Sequence, residues 1–438
     1  MSSTLIRRVM RNDYLFSLFS KLMSALGSMV SAAITARYLG PALKGELNYA
    51  LNTITLAVMV VNLGFFQSYP FDKRQGMPRQ YERYVDIFAL QFLVYVSLAV
   101  LCAACAGWSA MLLPVLLLPA QTLMQQLAMV LLVENIGYRQ RVQLVAQGLN
   151  IACLLAAFFC APPSVPLMLG LYIAKDLFII LCYLAKARYW PRPFRAERKL
   201  VVRLLTLGVL PMLSALLNNL NYKVDVLIMR LYCDFREIGL YTAGTSFAGY
   251  AWLIPDAFKD VLFARTAKDD AVRDIVLSIK VNLYLLFAVI LVFVVAGEYI
   301  LLLLNGPAFA DAFSVTLLIL LGAPSMIFFK LIGPLYIAQG RRTFCFLALT
   351  SSVLINVFAN FLTIPTYGMI GAAVSSAVSY ALCGIVFYIS FVRTYGLRWY
   401  AALIITREDV RLLTRHARAL FARVSGASPH EAGAIRQQ

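Results

Sequence analysis

The chain has 438 residues, 61% of them hydrophobic and 14% charged, and its mean hydropathy is +0.77. So much apolar residue excludes a soluble globular protein and leaves an all-α polytopic membrane protein. Lysine and arginine number 39 against 21 acids; that excess could serve a nucleic acid, but its placement follows membrane orientation, so no nucleic acid is expected as a partner.

Apolar runs predict twelve spans, near 14–36, 47–70, 84–107, 110–133, 142–161, 165–186, 205–229, 239–258, 276–297, 313–338, 344–364 and 369–392. The basic start (Arg7, Arg8, Arg11) runs into an apolar stretch too long for a signal-peptide core, so the first span is expected to stay. Alternate connections, the two termini and the span-end residues Lys186 and Lys280 hold 31 of the 39 basic residues. The opposite connections hold four (Arg37, Lys44, Arg230, Arg236), and four lie inside spans. The positive-inside rule then places both termini in the cytoplasm.

Segment 37–50, RYLGPALKGELNYA, aligns without gaps to 230–243, RLYCDFREIGLYTA, with Arg, Leu and Ala coinciding at the first, eleventh and last positions. The repeat divides the chain into two pseudo-symmetric six-helix lobes, 1–186 and 205–393. A basic cytoplasmic linker, 187–204, containing WPRPFRAERK, joins them. Two such bundles are a layout common among alternating-access transporters. The tail, 394–438, changes character. Val410, Leu413, Ala417, Leu420, Phe421 and Val424 share one helical stripe, with arginines elsewhere, which predicts a basic amphipathic helix on the anionic inner leaflet. A partner-binding helix is the alternative, and the last residues are expected to be disordered.

The stretch 205–244 concentrates polar side chains in an apolar background: Asn218, Asn219, Asn221, Lys223 and Asp225. Such groups in a membrane helix usually face a bundle interior or a wet cavity. Asn219 and Lys223 share one stripe; Asn218, Tyr222 and Asp225 share another. The structural alternative is interhelical ion pairing. Lys223 is one of four membrane lysines. Lys21 and Lys330 are expected in the inner half of the bilayer, where snorkelling is an alternative role. Lys175 is expected near the middle and Lys223 in the outer half. If the four face one cavity, they make a path for an anionic group.

Among the acids, Asp225 and Asp256 are the candidates for proton coupling or gating. Asp256, Lys259 and Asp260 occupy i, i+3 and i+4, which also reads as a surface ion-paired stripe. Cys102 and Cys105 sit in LCAACAG and read as small residues of a membrane helix; both histidines, His416 and His430, fall in the tail. No P-loop, zinc motif or nucleophile constellation is present. No connection exceeds about 20 residues, too little to hold most catalytic sites. Neither an enzyme nor a cofactor is expected.

The motifs ARYLGPALKGELNYA (36–50), the 211–244 stretch, YIAQGRR (336–342) and NVFANFLTIPTYGMIGAAVSSAVSY (356–380) carry a resemblance. In the last, Pro365 and Gly368 punctuate a short turn, and the small residues from Gly371 to Ala377 permit close helix packing. Over its whole length the chain resembles the Wzx-type O-antigen flippases, polysaccharide transporters of the multidrug/oligosaccharidyl-lipid/polysaccharide exporter superfamily. The resemblance implies a V-shaped pair of six-helix lobes in the bacterial inner membrane. It implies movement of an undecaprenyl-pyrophosphate-linked oligosaccharide from the inner to the outer leaflet, with membrane lipids and polysaccharide polymerase machinery as partners. The substrate-binding candidates are then Lys21, Lys175, Asn218, Asn219, Lys223 and Lys330, since lysines lining a wet cavity offset the desolvation of a pyrophosphate. A multidrug (MATE-like) cation exporter of the same superfamily is the alternative, and it would instead want exposed carboxylates; a membrane-embedded polysaccharide-processing enzyme ranks below it.

Overall fold

The computed structural model describes residues 13–414, apart from 77, 107–111, 188, 196, 254, 257–271, 410, 412 and 413. Lys259 and Asp260 of the proposed stripe, the amphipathic stripe of the tail, both histidines and the last residues lie outside the described residues.

The described secondary structure is helical: α1 (Asp13–Val61), α2 (Tyr69–Arg74), α3 (Gln80–Ala106), α4 (Leu112–Glu134), α5 (Ile136–Cys160), α6 (Val165–Ala187), α7 (Arg198–Tyr232), α8 (Phe235–Tyr250), α9 (Val272–Asn305), α10 (Ala312–Ala338) and α11 (Arg342–Thr394). Among the described residues, nine of these helices are long and apolar enough to cross a membrane. Two are too long for one crossing. α1 has 49 residues and α11 has 53; at 1.5 Å per residue each is more than twice the roughly 30 Å hydrocarbon thickness. Each is divided by a glycine with non-helical backbone, Gly40 (φ 69°) and Gly368 (φ 52°). Pro41 supplies the fixed φ that starts the next helical segment. Divided there, and with the shorter α8, the described helices make up the twelve spans expected.

Boundaries differ from expectation where local backbone intervenes. The second span was expected over 47–70 but stops at Val61. Leu63 (φ 53°) and Gly64 (φ 68°) turn the chain into a 3-10 turn, Phe65–Ser68, and then into α2. The expected basic connection 187–204 is shortened, because α7 already begins at Arg198.

The helices group into two compact units. One comprises Met1–Tyr250, Val292–Gly322 and Leu349–Ser379; the other comprises Ala251–Leu291, Ala323–Ala348 and Tyr380–Gln438. In the first, Tyr69, Tyr84, Phe88 and Tyr183 are fully buried with Leu127 and Leu204. Polar groups bind the adjacent connections to this core. Buried Asp72 accepts from Arg203, at 2.6 Å, and from the Tyr84 hydroxyl, at 2.6 Å. Asp86 accepts from the Tyr189 hydroxyl, at 2.8 Å, and from the Arg192 backbone N–H, at 2.6 Å. Burial, with that bond to Asp86, pushes the Tyr189 phenol up to about 12. Exposed large apolar residues such as Phe159, Val295 and Phe358 form the kind of surface a bilayer covers.

In the second unit, Gly384 lies against the Ser325 backbone, with no room for a Cβ, and Phe387 is buried among Phe329, Tyr336 and Phe344. The segment after α11 is fastened by Lys280, whose ammonium donates to Asp409 at 2.7 Å. Asp409 also accepts from the Thr406 N–H, at 2.7 Å. Burial raises the Asp409 carboxyl, but the bonds from Lys280 and Thr406 outweigh it and hold the group below its usual range. A depressed folded-state pKa stabilises above the unfolded value, about 3.9, and that contribution disappears as pH falls through the folded value. Hydrogen exchange around 403–409, corrected for intrinsic rate, is therefore expected to stay slow through neutral and mildly acidic pH. It should accelerate only below about pH 4, and Asp409→Asn should remove the acceleration; loosening already near neutral pH would contradict the assignment.

Candidate functional site

Asn221 and Asp225 stand one helical turn apart on α7, and both are buried, at 0% and 1% exposure. Each meets polar groups from α11. The Asp225 carboxylate accepts from the Tyr241 hydroxyl of α8, the Ser376 hydroxyl and the Asn360 amide, each at 2.6 Å. The Asn360 amide also donates to Asn356 Oδ1, at 3.0 Å. One turn along, Asn221 Oδ1 accepts from the Ser352 and Ser379 hydroxyls, at 3.1 and 3.0 Å. Three polar atoms in this centre have no described partner: Asn221 Nδ2, Asn356 Nδ2 and Asn360 Oδ1.

The physical demand is clear. An ionised carboxylate away from water needs a counter-charge or a proton, and the groups bonded to Asp225 are neutral donors. Removing one donor from such a centre costs on the order of 1–3 kcal/mol, because the acceptor is stranded. The arrangement can take up one positive charge, as a proton or a cation, and link that event to α7, α8 and α11.

Of the sequence-predicted residues, Asn218, Asn219 and Lys223 share α7 with Asp225. Lys223, two residues from Asp225, is half-buried and has no hydrogen bond or ion pair among the described residues. Asn218 is half-buried, and Asn219 returns its amide to its own helix, at the Ala215 carbonyl, 2.9 Å. Lys175 on α6 is half-buried with its ammonium 5.0 Å from the centre of the Tyr172 ring; Asp176 beside it is buried. Lys21 is exposed on α1. In the second unit Lys330 is neutralised: its ammonium meets Asp256 at 2.7 Å and lies 4.9 Å from the centre of the Trp252 ring. Asp256, expected on a stripe with Lys259 and Asp260, which lie outside the described residues, meets Lys330 from α10.

Tyr241, Ser352, Asn356, Asn360, Ser376 and Ser379 were not singled out by sequence as site residues. The available signal was the spacing of Ser352, Asn356 and Asn360, each one helical turn apart on an apolar helix. Which helix that stripe faces is set by packing.

A second feature joins the two halves of the sequence. α8 crosses the segment of α1 after Gly40 so closely that a Cβ on Gly45 would lie 1.7 Å from the Phe235 carbonyl oxygen. One on Gly239 would lie 1.9 Å from the Pro41 carbonyl oxygen. The contacts are reciprocal, 45 with 235 and 239 with 41, and Asn48 donates to Thr242 at 2.7 Å. This pattern equates Gly45 with Gly239 and Asn48 with Thr242. It is the mark of a local two-fold, registered one residue away from the ungapped alignment of 37–50 with 230–243. Nearby, Arg37 donates to the Leu303 and Leu304 carbonyls, at 2.5 and 3.0 Å, where a cation suits a helix C-terminus. Buried Lys44 donates to the Ala32 carbonyl, at 3.1 Å.

The crossing tolerates no side chain. A disulfide engineered through Asn48→Cys and Thr242→Cys is expected to form readily, and adding Gly45→Val should cut its yield by about half or more, because overpacking moves the helices. Equal yield with and without Gly45→Val, measured on gels, would show that the helices cross elsewhere.

No family model matches the chain, and no curated protein matches it. Solved structures do. The lipid II flippase MurJ in an inward closed conformation superposes with a TM-score of 0.68 at 12% identity, covering 95% of this chain and 93% of that one. A multidrug resistance MATE family transporter of the MOP superfamily, in an inward-facing conformation, gives 0.66 at 12% identity, covering 86% and 98%. A MOP superfamily transporter from Pyrococcus furiosus, described as having a binding pocket of reverse polarity, gives 0.54 at 12% identity, covering 90% and 98%. At such identities the likeness is one of fold: this multi-pass membrane protein has the all-α architecture of MOP-superfamily transporters.

Proposed function

We propose that the protein is a flippase that carries an undecaprenyl-pyrophosphate-linked oligosaccharide from the inner to the outer leaflet of the bacterial inner membrane, for O-antigen or another surface polysaccharide. Lys223 is the observation that carries this reading: a half-buried lysine in a membrane helix, without an ion pair or hydrogen bond among the described residues. A cation held there unneutralised is costly, and a passing pyrophosphate would offset that cost. Lys175 is the second contact, with Asn218 and Asn219 as hydrogen-bonding neighbours and Lys21 at the entrance. Lys330 acts with Asp256 as a gate, since that pair is closed.

The acids support the same sign. A cation exporter wants carboxylates open to the cavity, whereas Asp225 is enclosed by Tyr241, Asn360 and Ser376 and Asp256 is paired. Asp225 is the coupling group: taking up a proton changes its bonds to three donors and so biases one arrangement of α7, α8 and α11. The six-helix lobes 1–186 and 205–393 rock about the Gly45–Gly239 crossing, joined by the linker 187–204. The tail 394–438 lies on the inner leaflet, and polymerase machinery receives the product. The protein acts as a transporter and not as an enzyme.

Surface polysaccharide in cells expressing each variant tests the substrate. Lys175→Ala with Lys223→Ala should lower export about tenfold or more beyond either alone, and Arg should partly restore each, because phosphate meets lysine as a point charge. Asp225→Asn should flatten the dependence of transport on an imposed proton gradient. Normal export by the inserted double alanine variant would favour the drug exporter. Orientation has its own check: a single cysteine at exposed Tyr367 should label from outside and those at Arg74 and Arg195 from inside, and outside labelling at Arg195 would break the topology.

A further inference from the structure

The turn at 75–79 and the adjoining ends of α3, α4 and α6 enclose a cavity of about 630 Å³, a size typical of small-molecule sites, roughly 300–1,000 Å³. It lies in the first unit, and neither Lys175, Lys223 nor Asp225 lines it. The wall carries charges of both signs. Lys73 is already satisfied by Glu134, at 2.6 Å. Arg79 and Lys186 are exposed and have no hydrogen bond or ion pair among the described residues; Lys186 touches only the face of the Tyr138 ring, at 5.4 Å. Glu82 on the same wall is likewise without a hydrogen-bonding or ion-pairing partner among the described residues.

Two buried polar atoms of the wall are also unsatisfied, the Tyr81 hydroxyl and Gln80 Oε1. Gln80 is 5% exposed, and its amide nitrogen is fixed on the Tyr69 carbonyl at 2.7 Å, which leaves Oε1 as an acceptor. Arg79 has φ 47°, a left-handed conformation that a residue with a Cβ adopts only when its surroundings impose it. Tyr189 lines the cavity, and next to it Trp190 is 77% exposed, with Phe194 93% exposed. Exposed aromatics of this kind mark the level of lipid headgroups.

We propose that this cavity binds the headgroup of an aminophospholipid. The phosphate is met by Arg79, Lys186 and the Tyr81 hydroxyl; the primary ammonium is met by Glu82 and Gln80 Oε1. The inventory selects this chemistry. A purely anionic headgroup would face Glu82 and leave Gln80 Oε1 without a donor, and a quaternary ammonium has no N–H to give. The site stands independently of the transported substrate, so it can fail while the flippase reading holds, and the reverse.

Native mass spectrometry of the purified full chain tests it, with short-chain phosphatidylethanolamine, phosphatidylglycerol, phosphatidylcholine and inorganic phosphate as separate probes. Phosphatidylethanolamine is expected to be retained about tenfold better than the other lipids, and Arg79→Ala with Lys186→Ala should remove that advantage. Glu82→Gln, a near-isosteric change at a half-buried side chain without a hydrogen bond or ion pair among the described residues, should keep lipid bound while erasing the preference over phosphatidylglycerol. Equal retention of the three lipids, a preference unchanged in Glu82→Gln, or binding of inorganic phosphate alone would each overturn the proposal.

Discussion

The contact on which the first unit depends is backbone against backbone: the segment of α1 after Gly40 crosses α8 where Gly45 and Gly239 leave no room for a side chain. Small residues are what let membrane helices approach, since lipid tails give apolar side chains no reason to leave them. At this distance dispersion, the Asn48–Thr242 bond and the alignment of two helix ends act together. Arg37 reaches the last carbonyls of α9, and Lys44 reaches Ala32.

From α8 the same geometry continues into the buried centre. Tyr241 lies two residues after Gly239, on a helix whose position the crossing fixes, and its hydroxyl is one of three donors on Asp225. A carboxylate buried among neutral donors holds its charge only while those donors stay in place. Any shift of α8 against α7 and α11 therefore changes the cost of that charge. If Asp225 is the coupling group proposed above, this is where protonation and helix position would be linked.

The cations divide by partner. Lys330 and Lys280 are neutralised by Asp256 and Asp409 within the second unit. Lys223 has no ion pair among the described residues and Lys175 has only the adjoining Asp176, and their positions in membrane helices make them expensive unless water or an anion reaches them.

The sequence by itself determined the all-helical membrane class, the number of spans and the division at the Pro365–Gly368 punctuation, because hydropathy and turn residues are local; that Gly40 and Pro41 divide α1 came from the backbone. It also marked 205–244 as the stretch where polarity is concentrated. It did not reveal that Asn221 and Asp225 would be enclosed by Ser352, Asn356, Asn360, Ser376 and Ser379, more than a hundred residues away. Nor did it show that Lys330 would reach Asp256, or that the repeat is registered one residue over. Those facts depend on helix rotation and crossing, and a one-residue step turns a helical side chain by about 100°. Only the packed helices decide which stripe faces which neighbour.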